Sequence, residues 1–323
     1  MTTKNYAIVF PGQGAQSIGM GKDSVDANQA IAGIYKKADE LFGKQPSISE
    51  VSFNGPEETL TRTLYTQPAI LALSIALASQ IKDTIKQGKL AQPSYVAGHS
   101  LGEFSALYMA DVLSLEDVIR LVIKRAELME NAPSGAMTAI VGMEETQVNE
   151  IIRETEGASV ANYNAPDQIV ATGTKAGMEA LAEAVNKYAE TNTLRVKVIP
   201  LNVGGAFHSP LMQAASEEFS KAIDACNFNN ATIPVIQNIT GMPVTNASEI
   251  KANLKKQMTG SVQWTDTVRF LLDPNQGAVT EVLEVGPGKV LAGLIKKQDR
   301  RFPVNNISSI NDLATLLNPA LSS

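Results

Sequence analysis

Five residues constrain this chain more than any others: Gly98-His99-Ser100-Leu101-Gly102, a G-x-S-x-G turn. It follows the short apolar run Tyr95-Val96-Ala97 and precedes a helical stretch from Leu101 to Ala110. A serine in so sharp a strand-to-helix turn needs glycine on both sides, because a β-carbon there would crowd strand against helix. The helix N-terminus sets the backbone N–H of Leu101 beside the serine oxygen, where it could stabilise an oxyanion. The turn therefore predicts both a local fold and a nucleophile.

The rest of the chain alternates strand-like and helix-like runs, which predicts an α/β protein. Tyr6–Phe10 reads as a first strand, followed by helices over Val25–Phe42 and from Gln67 to Lys86. Leu115–Asn131 reads as a helix with Val118, Leu121, Val122, Ala126 and Met129 at helical spacing. Pro133-Ser134-Gly135 marks a boundary. Beyond it, strands are expected over Ala136–Val141, Ala158–Tyr163, Gln168–Thr172 and Leu194–Ile199, with helices over Glu144–Glu156 and Ala176–Glu190. That β-α-β-β-α-β order is the ferredoxin-like arrangement. After Pro200 the larger unit resumes, with helices at Pro210–Ala225, Ser248–Met258, Thr265–Leu272, Val290–Lys297 and Asn311–Leu317. Strands are expected there at Pro234–Ile236 and Thr280–Val285. The 323 residues would make about two domains on a prior of about 150 each. They divide here into one α/β body, 1–132 and 200–323, interrupted by a ferredoxin-like subdomain, 133–199.

Composition narrows the chemistry. One cysteine, Cys226, excludes an internal disulfide framework; with only two histidines, His99 and His208, little is left for zinc, and no metal site is expected. The balance of 27 basic against 33 acidic residues argues against non-specific nucleic-acid binding. No signal-peptide pattern precedes the first strand, and the longest apolar segment, Pro68–Ala78, is about half a bilayer span and reads as a buried helix. A soluble, cytoplasmic chain without membrane or nucleic-acid partners is expected.

A serine hydroxyl needs a base to take its proton. His99 lies inside the turn, where adjacent side chains point in different directions, so His208 in Gly204-Gly205-Ala206-Phe207-His208-Ser209-Pro210 is the candidate base. The acidic residue that usually orients such a base is not picked out by the residues alone. Phe10-Pro11-Gly12-Gln13-Gly14 begins like a dinucleotide loop, but Ser17 occupies the last glycine's place. It reads instead as a source of a second oxyanion N–H. Arg125, 25 residues after Ser100, has Leu121, Val122 and Met129 around it, which places it near a buried face. A buried arginine wants an anion, and its planar fork fits a carboxylate.

Together these pieces resemble the malonyl-CoA:acyl-carrier-protein transacylase family, including the discrete acyltransferases of polyketide synthesis. The likeness covers nearly the whole chain. It is carried by Phe10–Gly14, Thr66-Gln67-Pro68-Ala69, Gly98–Glu103, Arg125, Ala206–Pro210 and Glu284-Val285-Gly286-Pro287-Gly288-Lys289. The resemblance implies a large α/β-hydrolase-like subdomain with an inserted ferredoxin-like one. It makes Ser100 the nucleophile, His208 the base, and the N–H groups of Gln13 and Leu101 the oxyanion hole. Arg125 would grip the malonyl carboxylate, with Gln67 and Phe207 also binding substrate. The backbone carbonyl of Gln257 would orient His208 in place of an acid. Also implied are malonyl-CoA as substrate, no tightly bound cofactor, and an acidic acyl-carrier protein reached through its phosphopantetheine. A monomer is expected. Lys296, Lys297, Arg300 and Arg301 are the expected docking cations. Gly205 departs from the polyketide type, which often carries histidine there. An acyl-thioester hydrolase using the same Ser–His pair is the alternative.

Overall fold

Tyr6–Phe10 is buried at all five positions, as a strand covered on both faces must be. The computed structural model describes residues 5–318, and this strand, β1, lies inside its larger sheet. The others in chain order are β2 (Tyr95–Gly98), β3 (Ala136–Val141), β4 (Ala158–Ala165), β5 (Gln168–Gly173) and β6 (Lys197–Pro200). Then come β7 (Val235–Ile236), β8 (Pro243–Val244), β9 (Val262–Gln263), β10 (Glu281–Val285) and β11 (Val304–Ile307). The six-stranded sheet runs β11-β10-β1-β2-β7-β8 and is parallel except for β8. Helices pack over it, chiefly Thr63–Lys86, whose apolar 18-residue window is 83% buried. By length and composition that helix could cross a membrane; here it fills the core.

The second sheet runs β6-β3-β5-β4-β9. Four of its strands come from the β-α-β-β-α-β segment, antiparallel to one another. Ile140, Ile169, Val148, Ile152, Leu181 and Val185 join that sheet to the helices Glu145–Glu154 and Lys175–Thr191 in a core of their own. The fifth strand, β9, comes from the chain beyond that segment and pairs in parallel with β4, Asn162 opposite Val262 and Tyr163 opposite Gln263.

Several boundaries differ from the sequence reading. The single helix expected over Val25–Phe42 is two, Lys22–Ala27 and Gln29–Phe42. Asn28 between them is extended, and its side chain accepts from the N–H groups of Ala30 and Ile31, capping the second. The helix expected from Gln67 begins at Thr63, with Pro68 inside it. The strand expected from Leu194 starts at Lys197, and the helix expected over Pro210–Ala225 opens with a 3-10 turn, Pro210–Met212. Helices Ile48–Asn54 and Glu57–Leu60 and strands β8, β9 and β11 were not foreseen.

What matters for the site is where parallel strands end. Phe10 pairs with Gly98, so the loop after β1 and the turn after β2 leave the sheet side by side. The exit of β7, Gln237-Asn238, lies at the same carboxyl edge, where open α/β sheets place their ligands.

Candidate active site

The turn after β2 is as tight as its glycines imply. A β-carbon on Gly98 would overlap the backbone of Gly102, and one on Gly102 would overlap the carbonyl of Phe10. Ser100 between them is held at φ 50, the left-handed region, at the head of the helix Gly102–Met109. Asn238 fastens this conformation: its Oδ1 accepts from the Ser100 N–H (2.6 Å) and its Nδ2 donates to the carbonyl of Gly98 (2.6 Å).

His208 approaches from the loop before Pro210, itself at φ 58. The Ser100 hydroxyl donates to His208 Nε2 over 2.8 Å. On the far side of the ring, Nδ1–H donates to the carbonyls of Gln257 (2.9 Å) and Gly260 (3.1 Å). Carbonyls only accept, so they fix the tautomer that leaves Nε2 free to take a proton. No acid stands at this position among the described residues that bond His208. Burial, and then the positive charge of Arg125, push His208 down to about 3, against the pull of its two carbonyl partners. It is a neutral imidazole at pH 7.

Arg125 comes from the helix Leu115–Glu130 and is 1% exposed. Its Nη1 donates to Gln67 Oε1 (2.7 Å), and its Nη2 to Ser100 Oγ (3.0 Å) and Gln257 Oε1 (3.2 Å). Its Nε–H is buried without a partner, and no carboxylate forms an ion pair with it among the described residues. Burial lowers its pKa only to about 10, so the charge stays. A buried guanidinium one hydrogen bond from a nucleophile, with an N–H unused, suits an incoming carboxylate.

Gln13, Leu101, Phe207 and Asn162 join Ser100, His208 and Arg125 around a cavity of about 100 Å³. A wider chamber of about 390 Å³ shares Gln13, Met129, Val203 and Phe207 with it and leads outward past Arg62 and Gly205. His99 also lines the cavity, but its Nε2 pairs with Asn164 Oδ1 (2.7 Å), and its ring lies edge-on to Trp264. The structure thus brings Ser100, His208, Arg125, Gln13, Leu101, Gln67, Phe207 and Gln257 to one place. Cys226 is half-buried elsewhere, its thiol pushed up to about 11 by burial. No three His, Cys, Asp or Glu side chains gather as a metal site among the described residues.

Four neighbours escaped the sequence reading. Asn164 holds His99, the Gly260 carbonyl shares the His208 ring, and Asn238 clamps the turn. Asn162 lines the cavity with an unpartnered Oδ1, at a register shift between β4 and β5 that re-aims its side chain. Only Asn238 carried a usable signal, as a polar residue just past the carboxyl end of a parallel strand.

The family model for the acyl transferase domain matches residues 7–306 of this chain. Among its relatives, the malonyl CoA-acyl carrier protein transacylase of Synechocystis sp. is 39% identical over 311 residues, covering 96% of this chain and 99% of the relative. That of Bacillus subtilis is 38% identical over 309 residues, 94% of this chain and 93% of its own. Among solved structures, the malonyl-CoA:acyl carrier protein transacylase of Xanthomonas oryzae pv. oryzae superposes with a TM-score of 0.87 at 37% identity, over 99% of each chain. A malonyl-transacylase solved in complex with a type II polyketide synthase acyl-carrier protein superposes equally well, at 0.87 and 31% identity, over 98% of this chain and 99% of that one.

Proposed function

The chain belongs to the malonyl-CoA:acyl-carrier-protein transacylase family, and on that premise we propose that Ser100, His208 and Arg125 carry its reaction. It moves a malonyl group from malonyl-CoA to acyl-carrier protein.

In the reading we favour, the Ser100 oxygen attacks the thioester carbonyl while His208 Nε2 takes the hydroxyl proton. The tetrahedral oxyanion lies against the N–H groups of Gln13 and Leu101. The C–S bond then breaks, His208 returns its proton to the CoA sulfur, and a malonyl-Ser100 ester remains. The phosphopantetheine thiol of the carrier protein repeats the sequence in reverse: His208 takes the thiol proton, sulfur attacks the ester, and the Ser100 oxygen leaves with that proton. The carboxylate of the substrate pairs with Arg125. Since the charge of Arg125 is the second cause of the low basicity of His208, that pairing raises the base as substrate arrives.

One observation carries this assignment: Arg125 is buried, makes no direct ion pair with a carboxylate among the described residues, keeps its Nε–H unpartnered, and donates to the nucleophile itself. An acyl group without a terminal carboxylate leaves the buried Nε–H without a partner. Phe207 lies at the junction of cavity and outer chamber, where its ring fills space that a branched acyl group would need. Water as the acceptor, the alternative open to any Ser–His pair, finds no support among these relatives. Incubation with labelled malonyl-CoA, followed by carrier protein, tests the reading. Label should rest on Ser100 and then pass to the carrier; release as free malonate would overturn it.

We place residues 133–199 as an inserted subdomain and 1–132 with 200–323 as the catalytic body, which the separate core of the small sheet supports. For the carrier we favour the cations at the end of the helix Val290–Gln298. Lys297 is tied to Asp167 (2.8 Å), leaving Lys296, Arg300 and Arg301 as the stronger candidates. Reversing Lys296, Arg300 and Arg301 to glutamate is expected to raise KM for carrier protein and leave KM for malonyl-CoA unchanged. An unchanged carrier KM in steady-state assays removes this patch.

A further inference from the structure

Behind the cavity lies a buried carboxyl that the reaction just described leaves unused. Glu103 is 1% exposed and meets only donors. Its Oε2 accepts from Gln257 Nε2 (2.6 Å) and from the N–H of Asn238 (3.4 Å), and its Oε1 accepts from Gln237 Nε2 (3.2 Å). Gln237 cannot turn its amide round, because its Nε2 also donates to the carbonyl of Ile250 (3.2 Å), which only accepts, while its Oε1 receives Asn253 Nδ2 (2.8 Å).

Gln257 is where the catalytic groups meet. Its backbone carbonyl receives His208 Nδ1–H, and its Oε1 receives Arg125 Nη2. Its Nε2 spends one proton on Glu103 and the other on the carbonyl of Ser100 (3.0 Å). A primary amide rotated by half a turn swaps oxygen for nitrogen. Rotated here, it would set N–H against the guanidinium and oxygen against the Ser100 carbonyl. An ionised carboxylate only accepts, so it adds a third opposition to that rotation, beside Arg125 and the Ser100 carbonyl.

We propose that Glu103 is a positioning residue for acyl transfer: its carboxylate locks the Gln257 carboxamide, nitrogen toward the elbow and oxygen toward Arg125, and so steadies the residue whose carbonyl orients His208. The proposal rests on the malonyl-transfer reading and adds a residue that touches no reacting atom.

The charge on Glu103 is finely balanced. Burial pushes its carboxyl up to about 7, against its hydrogen bonds and the charge of Arg125. Arg125 is the charged group facing it, from Leu115–Glu130; Gln237, Asn238 and Gln257, from the exit of β7 and the end of Ala247–Lys256, do not titrate. In the free enzyme His208 is held far below this range. A substrate carboxylate on Arg125 raises it, so the comparison of wild type with Glu103→Gln, and not the wild-type profile alone, assigns a change of rate around pH 7 to Glu103.

The test is the rate of malonyl-Ser100 formation at saturating malonyl-CoA, followed by rapid quench and intact mass between about pH 5.5 and 8.5. Wild type should gain roughly tenfold between pH 6 and 8 as Glu103 ionises. Glu103→Gln should be slower by roughly 10²-fold, the scale of a small misplacement, with KM for malonyl-CoA little changed and no pH dependence in this window. Glu103→Asp, which keeps an acceptor-only group, should retain the acid limb. A Glu103→Gln enzyme at the wild-type rate, or a slow one that keeps the limb, overturns the proposal. Should that variant not fold, a flat wild-type profile overturns it alone. If wild type takes no malonyl group at all, the transfer reading fails instead.

Discussion

Ser100→Ala is expected to lower malonyl transfer by roughly 10⁴- to 10⁶-fold, the range seen when the nucleophile of a Ser–His unit is removed. The hydroxyl is the shared point of the site: it donates to His208 Nε2 and accepts from Arg125 Nη2. Alanine leaves both partners in place with nothing to join them. The fold should survive, because what holds the turn is backbone, through Asn238 on the Ser100 N–H and the close passage of Gly98 by Gly102. Alanine also meets the left-handed φ at a cost similar to that of serine. Intact-mass measurement after exposure to malonyl-CoA should show one added malonyl group on wild type and none on the variant. An adduct that persists on Ser100→Ala would move the nucleophile elsewhere.

Arg125→Ala is the second large effect, and it acts on choice as well as rate. Truncating one partner of a buried charged pair costs about 2–5 kcal/mol, or roughly 30- to 5000-fold in kcat/KM for malonyl-CoA. Acetyl-CoA has no carboxylate to lose. Its use should hold or improve, because the variant no longer asks it to sit against an unpaired guanidinium. The ratio of the two substrates is therefore the measurement, with each kcat/KM determined in parallel. Lysine at this position keeps the charge but not the fork, and Gln67 and Gln257 cannot both be reached by a point charge. A variant that still strongly prefers malonyl-CoA would show that the carboxylate is read elsewhere.

The parts of this site that could be read from sequence share a property: each is a local pattern or a scarce residue. The glycines around Ser100 announce a strained turn because only their spacing permits it. His208 stands out because the chain has one other imidazole, and that one sits inside the turn. The strands and helices of 136–200 follow from clean alternation over long runs. What escaped is set by distance along the chain. Asn238 lies 138 residues from the Ser100 N–H it holds, and Gln257 lies 132 residues from Arg125. No periodicity reports such pairs, and the carbonyls of Gln257 and Gly260 have no side-chain signature at all. The Gln257 carbonyl entered through family resemblance alone. Two-residue strands such as β8 and β9 are too short to carry an alternation, and the break at Asn28 is decided by a cap inside an otherwise continuous apolar pattern.

The borrowed strand β9 bears on how this protein could be rebuilt. It begins two residues after Gly260, whose carbonyl holds the His208 ring, and it hydrogen-bonds to β4 at Asn162, on the cavity wall. Residues 133–199 are therefore stitched to the chain that follows them at the point where the base is aimed. A graft that exchanges residues 133–199 for those of a relative, in search of a new acyl preference, would bring a foreign edge to Val262–Gln263. Such chimaeras should keep activity only when the seam travels with the insert.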